Sequence, residues 1–334
     1  MKQAGVWTLA WRRFRRDRLG FASLLVVLLY AAVVIAAAAG WLARDWSAEA
    51  ALSYAPPTFL GPDAASGKAS GLAARSGPAD DYGIPDPLAA DLAEIARSLS
   101  GASPEEARAP TLPFGADKWG RDVLKKAVKG TETSVIVGLA AALLATFLGT
   151  LFGAFAGYRG GRADDFFNWL YSVFTSMPYL LLVLAIAAVV NQKGTLTVVV
   201  ILGLTGWTGI FRLVRAEYLK HKSREYVLAA DAVGASHARR MFVHILPNVS
   251  HVVLVQLSLH VVLFIKSEVI LSFLGFGVGV DTVSWGSMLA EAQTELILGK
   301  WWQIAAATAA MAVLVTAFSL FTDAMRDALD PRLA

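Results

Sequence analysis

Residues Glu225–Asn248 read EYVLAADAVGASHARRMFVHILPN, a polar stretch punctuated by alanine and glycine between two strongly apolar segments. A chain that only needed to reverse direction does so in a few residues, so a polar element of this length points to a docking surface for a partner. Residues Ser223–Ala232 are good helix formers, Gly234 permits a sharp turn, Ser236 can cap a second helix running to His244, and Pro247 is expected to end the element. The pattern predicts helix, glycine turn, helix, proline stop.

The surroundings of this element are a membrane. Of the 334 residues 56% are hydrophobic and only 17% charged, which is too apolar for a soluble domain. Six stretches contain no Asp, Glu, Lys or Arg: Leu19 to Ala43, Thr133 to Tyr158, Phe166 to Gln192, Gly194 to Phe211, Met241 to Ile265 and Trp301 to Thr322. A hydrocarbon core takes about 20 helical residues to cross, so each is long enough or nearly so. The fold class is therefore an all-α membrane protein with six transmembrane helices. Strands of a membrane barrel would be shorter and would alternate in polarity.

Lys and Arg near the span ends give the orientation. Arg12, Arg13, Arg15, Arg16 and Arg18 precede the first span, Arg159 and Arg162 follow the second, and seven basic residues lie between Arg212 and Arg240. Both termini are then cytoplasmic, and so is the stretch from Glu225. Lys118, Arg121, Lys125, Lys126 and Lys129 fall on the outer side, where Asp117, Asp122 and Glu132 dilute them. The basic WRRFRRDRLG and the AAAAG that follows it also resemble a signal peptide. Its apolar region is about twice the usual 7–15 residues, which favours a retained span.

The expected organisation is a cytoplasmic segment 1–18, a first transmembrane helix 19–43, an extracytoplasmic insertion 44–130, and a five-helix core 131–334 carrying a cytoplasmic coupling loop at 212–248. Most of the twelve prolines lie in the insertion, which has little core of its own and is alternatively a linker. Short helices are expected at Pro87–Ser98 and at 118–129. In the latter Trp119, Val123, Leu124 and Ala127 would make one apolar face along the membrane surface.

Inside the membrane, Gly149, Gly153 and Gly157 recur at four-residue steps, a stripe that lets two helix backbones approach, within the subunit or between subunits. Pro178 is expected to kink the third span. Gln256, His260 and Ser267 share one stripe of the fifth span, with Glu268 beside them near its outer end. Polar groups at that depth are costly unless they face a cavity or a partner, so the stripe is either a lining of a translocation path or satisfied locally. Lys266 can snorkel to the interface.

Catalytic and metal chemistry find no support. There is no cysteine, and the five histidines have no His-Glu-x-x-His spacing. Neither a Gly-x-Ser-x-Gly elbow nor a G-x-x-x-x-G-K-[ST] phosphate loop occurs. No catalytic, metal or cofactor site and no nucleic-acid partner are expected for this chain, and the distribution of its net charge of +4 matters more than its size. An ion-gradient-driven secondary transporter would favour buried charged relays in the membrane, and few such residues are present.

Ala229-Ala230, three residues, Gly234, then Leu246-Pro247 resembles the EAA loop of bacterial ATP-binding-cassette importer permeases. The similarity is closest to the oligopeptide, dipeptide and nickel branch, in particular to its second permease. In the same order stand FGADKWGRDVLKKAVKGTETSVIVG from Phe114, LTGWTGIFRLVRAEYL from Leu204, EVILSFLGFG from Glu268, SWGSMLAEA from Ser284 and RDALDPRLA at the end. Departures are Leu228 where the loop motif has glutamate, His244 for isoleucine, Lys266 for an apolar residue, and an alanine-rich final span.

What the resemblance implies is a type I importer permease in the bacterial cytoplasmic (inner) membrane, with N-in/C-in topology. Its partners would be a second homologous permease, two ATPase subunits, an extracytoplasmic substrate-binding protein and the lipid bilayer. ATP and Mg would be bound on the ATPase subunits and none by this chain. Glu225, Tyr226, Ala229, Ala230, Asp231, Gly234, Ala235, Leu246 and Pro247 would carry the coupling. The cargo would be peptides, or alternatively nickel or other small solutes.

Overall fold

The computed structural model describes residues 13–62, 108–279 and 281–329, so the helix expected at Pro87–Ser98 lies outside the described residues. The described chain is helical, and its backbone pairs outside helices are isolated bridges. The helices are α1 (Arg18–Ala38), α2 (Val123–Arg159), α3 (Gly161–Thr175), α4 (Tyr179–Val190), α5 (Thr195–Thr205), α6 (Thr208–Lys222), α7 (Glu225–Ala232), α8 (His237–Phe273), α9 (Trp285–Ile297) and α10 (Trp302–Leu329). By length and composition α1, α2, α5 with α6, α8 and α10 can each cross a membrane, and the bent pair α3 and α4 makes either a sixth, broken span or a re-entrant loop.

The chain divides into two compact units, one of residues up to Arg44, Ala127–Glu291 and from Ala307 onward, the other Asp45–Lys126 with Ala292–Ala306. In the first, the membrane unit, Asp17 caps α1 by accepting from the Leu19 amide at 3.0 Å. The helix stops at Ala38, short of the expected Ala43, because Gly40 takes a φ of 74° and the amide of Trp41 turns back onto the Ala36 carbonyl. Tyr30 donates to the Ala310 carbonyl at 2.9 Å and Phe14 meets Phe321 edge-on, so α1 lies along α10.

Each later span departs from its expected bounds for a local reason. The third is broken rather than kinked: Pro178 caps α4, and α3 and α4 meet at 85°. The fourth continues past Phe211 to Lys222, through Arg212 and Arg215. Arg215 makes a two-pronged pair with Asp164 of α3, its second bond 2.6 Å, and Arg212 donates to the Tyr171 hydroxyl at 3.3 Å. Partnered charges do not end a span, so the loop expected at 212–248 begins with membrane helix. The fifth starts at His237 and passes straight through Pro247, because residues Arg240–Ile245 adopt the wider π register. That extra residue per turn absorbs the missing amide and the ring of the proline.

Two hydrophobic clusters hold the membrane unit. One joins Ala154, Tyr158, Ile210, Val214, Tyr218, Val227, Met241, Ile245 and Val249, and so runs from α2 through α6 and α7 into α8. The other centres on Trp207 and Phe211, with Phe152, Phe167, Tyr171 and Phe174 around them. The glycine stripe lies between them and faces α6 within the subunit. A Cβ on Gly153 would lie 2.8 Å from the Phe211 carbonyl oxygen, and one on Gly157 would lie 2.6 Å from that of Arg215.

Among the described residues of the second unit Ala51, Ala55 and Ala116 form one small cluster, Val123, Ala292, Trp302 and Ala306 are also buried, and an ion pair is buried as well. Lys126 and Asp117 are fully buried and paired at 2.7 Å, with Gln303 3.3 Å from the same ammonium. The other Asp117 oxygen accepts from the amides of Trp119 and Arg121, which fixes residues 118–120 as a turn before the bridge residues Arg121 and Asp122. Asp122 then caps α2, so no separate surface helix forms at 118–129 and α2 begins at Val123 instead. Lys126→Ala would strand a buried carboxylate, which costs about 3–5 kcal/mol. A lowered thermal unfolding midpoint of the purified protein is the expected result.

Candidate coupling site

The exposed element α7 is closed at its C-terminal end by a motif encoded in its sequence, while its N-cap residue Arg224 makes no side-chain cap bond. Glu225 lies in the first turn, where a carboxylate suits the helix dipole. At the other end the Ala235 amide reaches the Ala230 carbonyl and the Gly234 amide that of Asp231, each at 2.9 Å. This is a Schellman closure, and it requires the left-handed φ of 81° that Gly234 adopts. Ser236 then accepts from the Arg239 amide at 3.3 Å and starts α8. The helix, glycine turn and serine cap stand as the sequence suggests; the proline stop does not, because the π segment carries the helix on.

The inner face of α7 is anchored. Val227 and Ala230 are buried, Val227 in the cluster that includes Tyr158 and Tyr218. Asp231 pairs with Arg240, whose guanidinium also reaches His237 Nδ1 at 2.9 Å and lies over the Tyr158 ring. Tyr158 itself donates to the same Nδ1 at 3.0 Å, so that nitrogen serves as the acceptor for both. Tyr218 of α6 donates to the Met241 carbonyl inside the π segment. The Tyr226 hydroxyl and His221 Nδ1 are hydrogen-bonded at 2.8 Å, and desolvation pushes the phenol's pKa up. A displacement of α7 therefore pulls on α2, α6 and the root of α8 together.

Its outer face is uncovered. Glu225, Tyr226, Ala229, Asp231 and Gly234 are exposed, whereas Ala230 points inward and Ala235 is half-buried. Pro247 is exposed and Leu246 half-buried at the root of α8. Leu228 and Val233 are exposed too, Val233 at 84%, with Phe242 and Val243 nearby in sequence. These four were missed as surface residues; the signal was Leu228 at the position where a glutamate was expected, an apolar side chain on the polar side of a short helix.

Residues 149–334 match the family of binding-protein-dependent transport system inner membrane components, and residues 5–57 match the N-terminal TM domain of oligopeptide transport permease C. The chain belongs to the former family. Among its relatives is the dipeptide transport system permease protein DppC of Bacillus subtilis, 37% identical over 66% of this chain and 68% of the relative. The oligopeptide transport system permease protein OppC of the same organism is 36% identical over 66% and 72%. The di/tripeptide transport system permease protein DppC of Pseudomonas aeruginosa is 34% identical over the same shares. This permease is thus a multi-pass inner-membrane protein with the type I importer fold.

The polar residues of α8 differ in their surroundings within the chain. His260 is buried, with Nδ1 3.4 Å from Thr146 Oγ1 of α2 and its ring beside Phe264. Ser267 is buried and donates to the Leu263 carbonyl, and Gln256 is half-buried. Lys266 is exposed. Glu268 is fully buried, accepting from Ser134 at 2.7 Å and from Ser272 at 2.6 Å. Ser134 in turn accepts from the Trp285 amide, and Ser272 from that of Val278. The carboxylate is the hub that fixes the 274–285 loop between α2 and α8. Glu268→Ala should cost about 1–3 kcal/mol for the hydroxyls left unpaired, lowering the unfolding midpoint, and Glu268→Gln should cost less.

Proposed function

We propose that this permease is one half of the translocation path of an ATP-driven importer for peptides. The other half is a second, related permease. Two ATPase subunits bind ATP and Mg, and an extracytoplasmic binding protein delivers the cargo. Both termini and α7 lie on the cytoplasmic side. This chain hydrolyses nothing and binds no cofactor. The observation that carries the reading is α7 itself, anchored through Val227, Ala230 and Asp231 and uncovered on the face of Glu225, Leu228, Ala229 and Val233. The peptide cargo rests on the relatives, which are named as dipeptide, oligopeptide and di/tripeptide permeases.

ATP binding favours the closed ATPase dimer over the open one, and that difference in affinity is the free energy available to move what is docked to it. Glu225, Tyr226 and Asp231 supply polar contacts, Ala229 and Ala235 allow close approach, and Gly234 fixes the turn. Leu246 and Pro247, after the π segment, make the root on which α8 swings. Asp231–Arg240 and the Tyr158–His237 contact pass the motion to α2.

Purification of the complex tests this. It should contain an ATPase and a second permease, and its hydrolysis should rise with peptide-loaded binding protein. Uptake that persists after the ATPase is removed would replace this reading with an ion-gradient transporter.

A further inference from the structure

Trp302 opens α10, a membrane-crossing helix, and its indole donates to the Ala116 carbonyl at 2.7 Å. A Cβ on Gly115 would lie 2.8 Å from the same ring, so the chain around 112–116 is pressed onto the first turn of that span. Phe114 belongs to this segment. Its ring lies 6.2 Å from that of Trp301, nearly perpendicular, and 6.2 Å from Phe59, which is itself 6.4 Å from Trp301. Phe59 is on the 3-10 turn Thr58–Leu60, tied back by the Thr58 amide to the Leu112 carbonyl at 2.8 Å.

This aromatic trio is not a core. Phe59 is 62% exposed and Leu60 57%. The tight turn between α9 and α10, closed by the Leu298, Gly299 and Lys300 amides on the carbonyls of Glu295 and Leu296, presents Ile297 at 86% exposure with Leu298 beside it. Lys300 lies over the Trp302 ring at 5.4 Å, and Lys118 over Trp119 at 5.2 Å.

Chain connectivity sets the depth of this surface. At 1.5 Å per helical residue, the residues just before Trp302 lie within about one or two helix turns of the boundary where the span enters hydrocarbon. Tryptophan and other aromatics concentrate at that boundary, and lysines beside them reach for phosphate. Exposed apolar side chains at such a depth are covered by lipid before any protein meets them.

We propose that Phe59, Leu60, Phe114, Ile297, Leu298 and Trp301 form a lipid-facing rim that rests the insertion on the phospholipid headgroup–acyl boundary where α10 begins. The described part of the insertion that carries Phe59, Leu60 and Phe114 is thereby moored to the bilayer. This mooring is the same on whichever side of the membrane α10 begins.

The chain has no cysteine, so single cysteines report cleanly. Phe59→Cys and Ile297→Cys, with Ala48→Cys beside Asp45 and Glu49 as the aqueous control, would carry an environment-sensitive fluorophore. The full-length permease with its copurifying subunits would be placed in nanodiscs of phosphatidylethanolamine and phosphatidylglycerol. Phosphatidylcholine bearing a nitroxide near its headgroup should remove most of the emission at positions 59 and 297 and leave that at 48, with iodide acting in the opposite order. Strong iodide quenching at 59 and 297 without nitroxide quenching would overturn the proposal. Shielding from both quenchers would also overturn it, because it would assign the surface to a protein subunit.

Discussion

Gly153→Leu should remove the folded permease from the membrane, and it is the substitution with the largest expected structural effect. Gly149, Gly153 and Gly157 bring α2 against the backbone of α6, and a Cβ at Gly153 already meets the Phe211 carbonyl at 2.8 Å, the Val214 Cβ at 3.0 Å and the Arg215 amide at 3.1 Å. Two of these obstacles are backbone, which no rotamer change moves aside. Even one added methylene in a packed core commonly costs about 1–3 kcal/mol, and leucine adds a whole side chain where none fits. Separating α2 from α6 also opens both hydrophobic clusters, since Ala154 and Tyr158 belong to one and Ala156 to the other. The check is the monodisperse peak of a fluorescent fusion in detergent. Gly153→Leu should lose that peak, and Gly153→Ala should reduce it.

Gly234→Val is the largest expected functional effect, and it works without a clash. Nothing lies within 4 Å of where the Cβ would be, so the membrane helices should assemble normally. The φ of 81° is the difficulty, because a β-branched residue there is a true outlier costing on the order of 1–3 kcal/mol. An eight-residue helix has little intrinsic stability with which to oppose that strain. The Schellman closure opens, the last turn of α7 frays, and Asp231 leaves Arg240. We expect wild-type amounts in the membrane, intact association with the ATPase, and loss of the peptide-stimulated part of ATP hydrolysis. Full stimulation in this variant would remove Gly234 from the coupling element.

Much of this arrangement is readable in the sequence where a feature is local. The glycine turn that closes α7 and the Ser236 start of α8 depend on neighbouring residues only, and they stand as the pattern suggests. The six apolar runs likewise mark the crossings. Features settled by distant partners were not readable. Arg212 and Arg215 appeared to end a span until Tyr171 and Asp164 of α3 supplied their partners. Two prolines in apolar surroundings met opposite fates: Pro178 broke its span, while Pro247 was absorbed by a π segment steadied through Tyr218 from α6. The α8 stripe showed a helix face correctly, but its exposure was decided by Thr146 and Ser134 on α2, more than a hundred residues away. The glycine stripe announced a close approach without naming α6.

The open face of α7 is expected to touch an ATPase. Val233, at 84% exposure in a chain without cysteine, gives the most direct measurement. In the assembled complex, Val233→Cys treated with a short thiol-to-amine cross-linker should yield a product that contains this permease and the ATPase subunit, in an amount that changes when ATP is added. A complex that remains intact and carries a reactive thiol at 233, yet gives no product with the ATPase in any nucleotide state, would contradict the account.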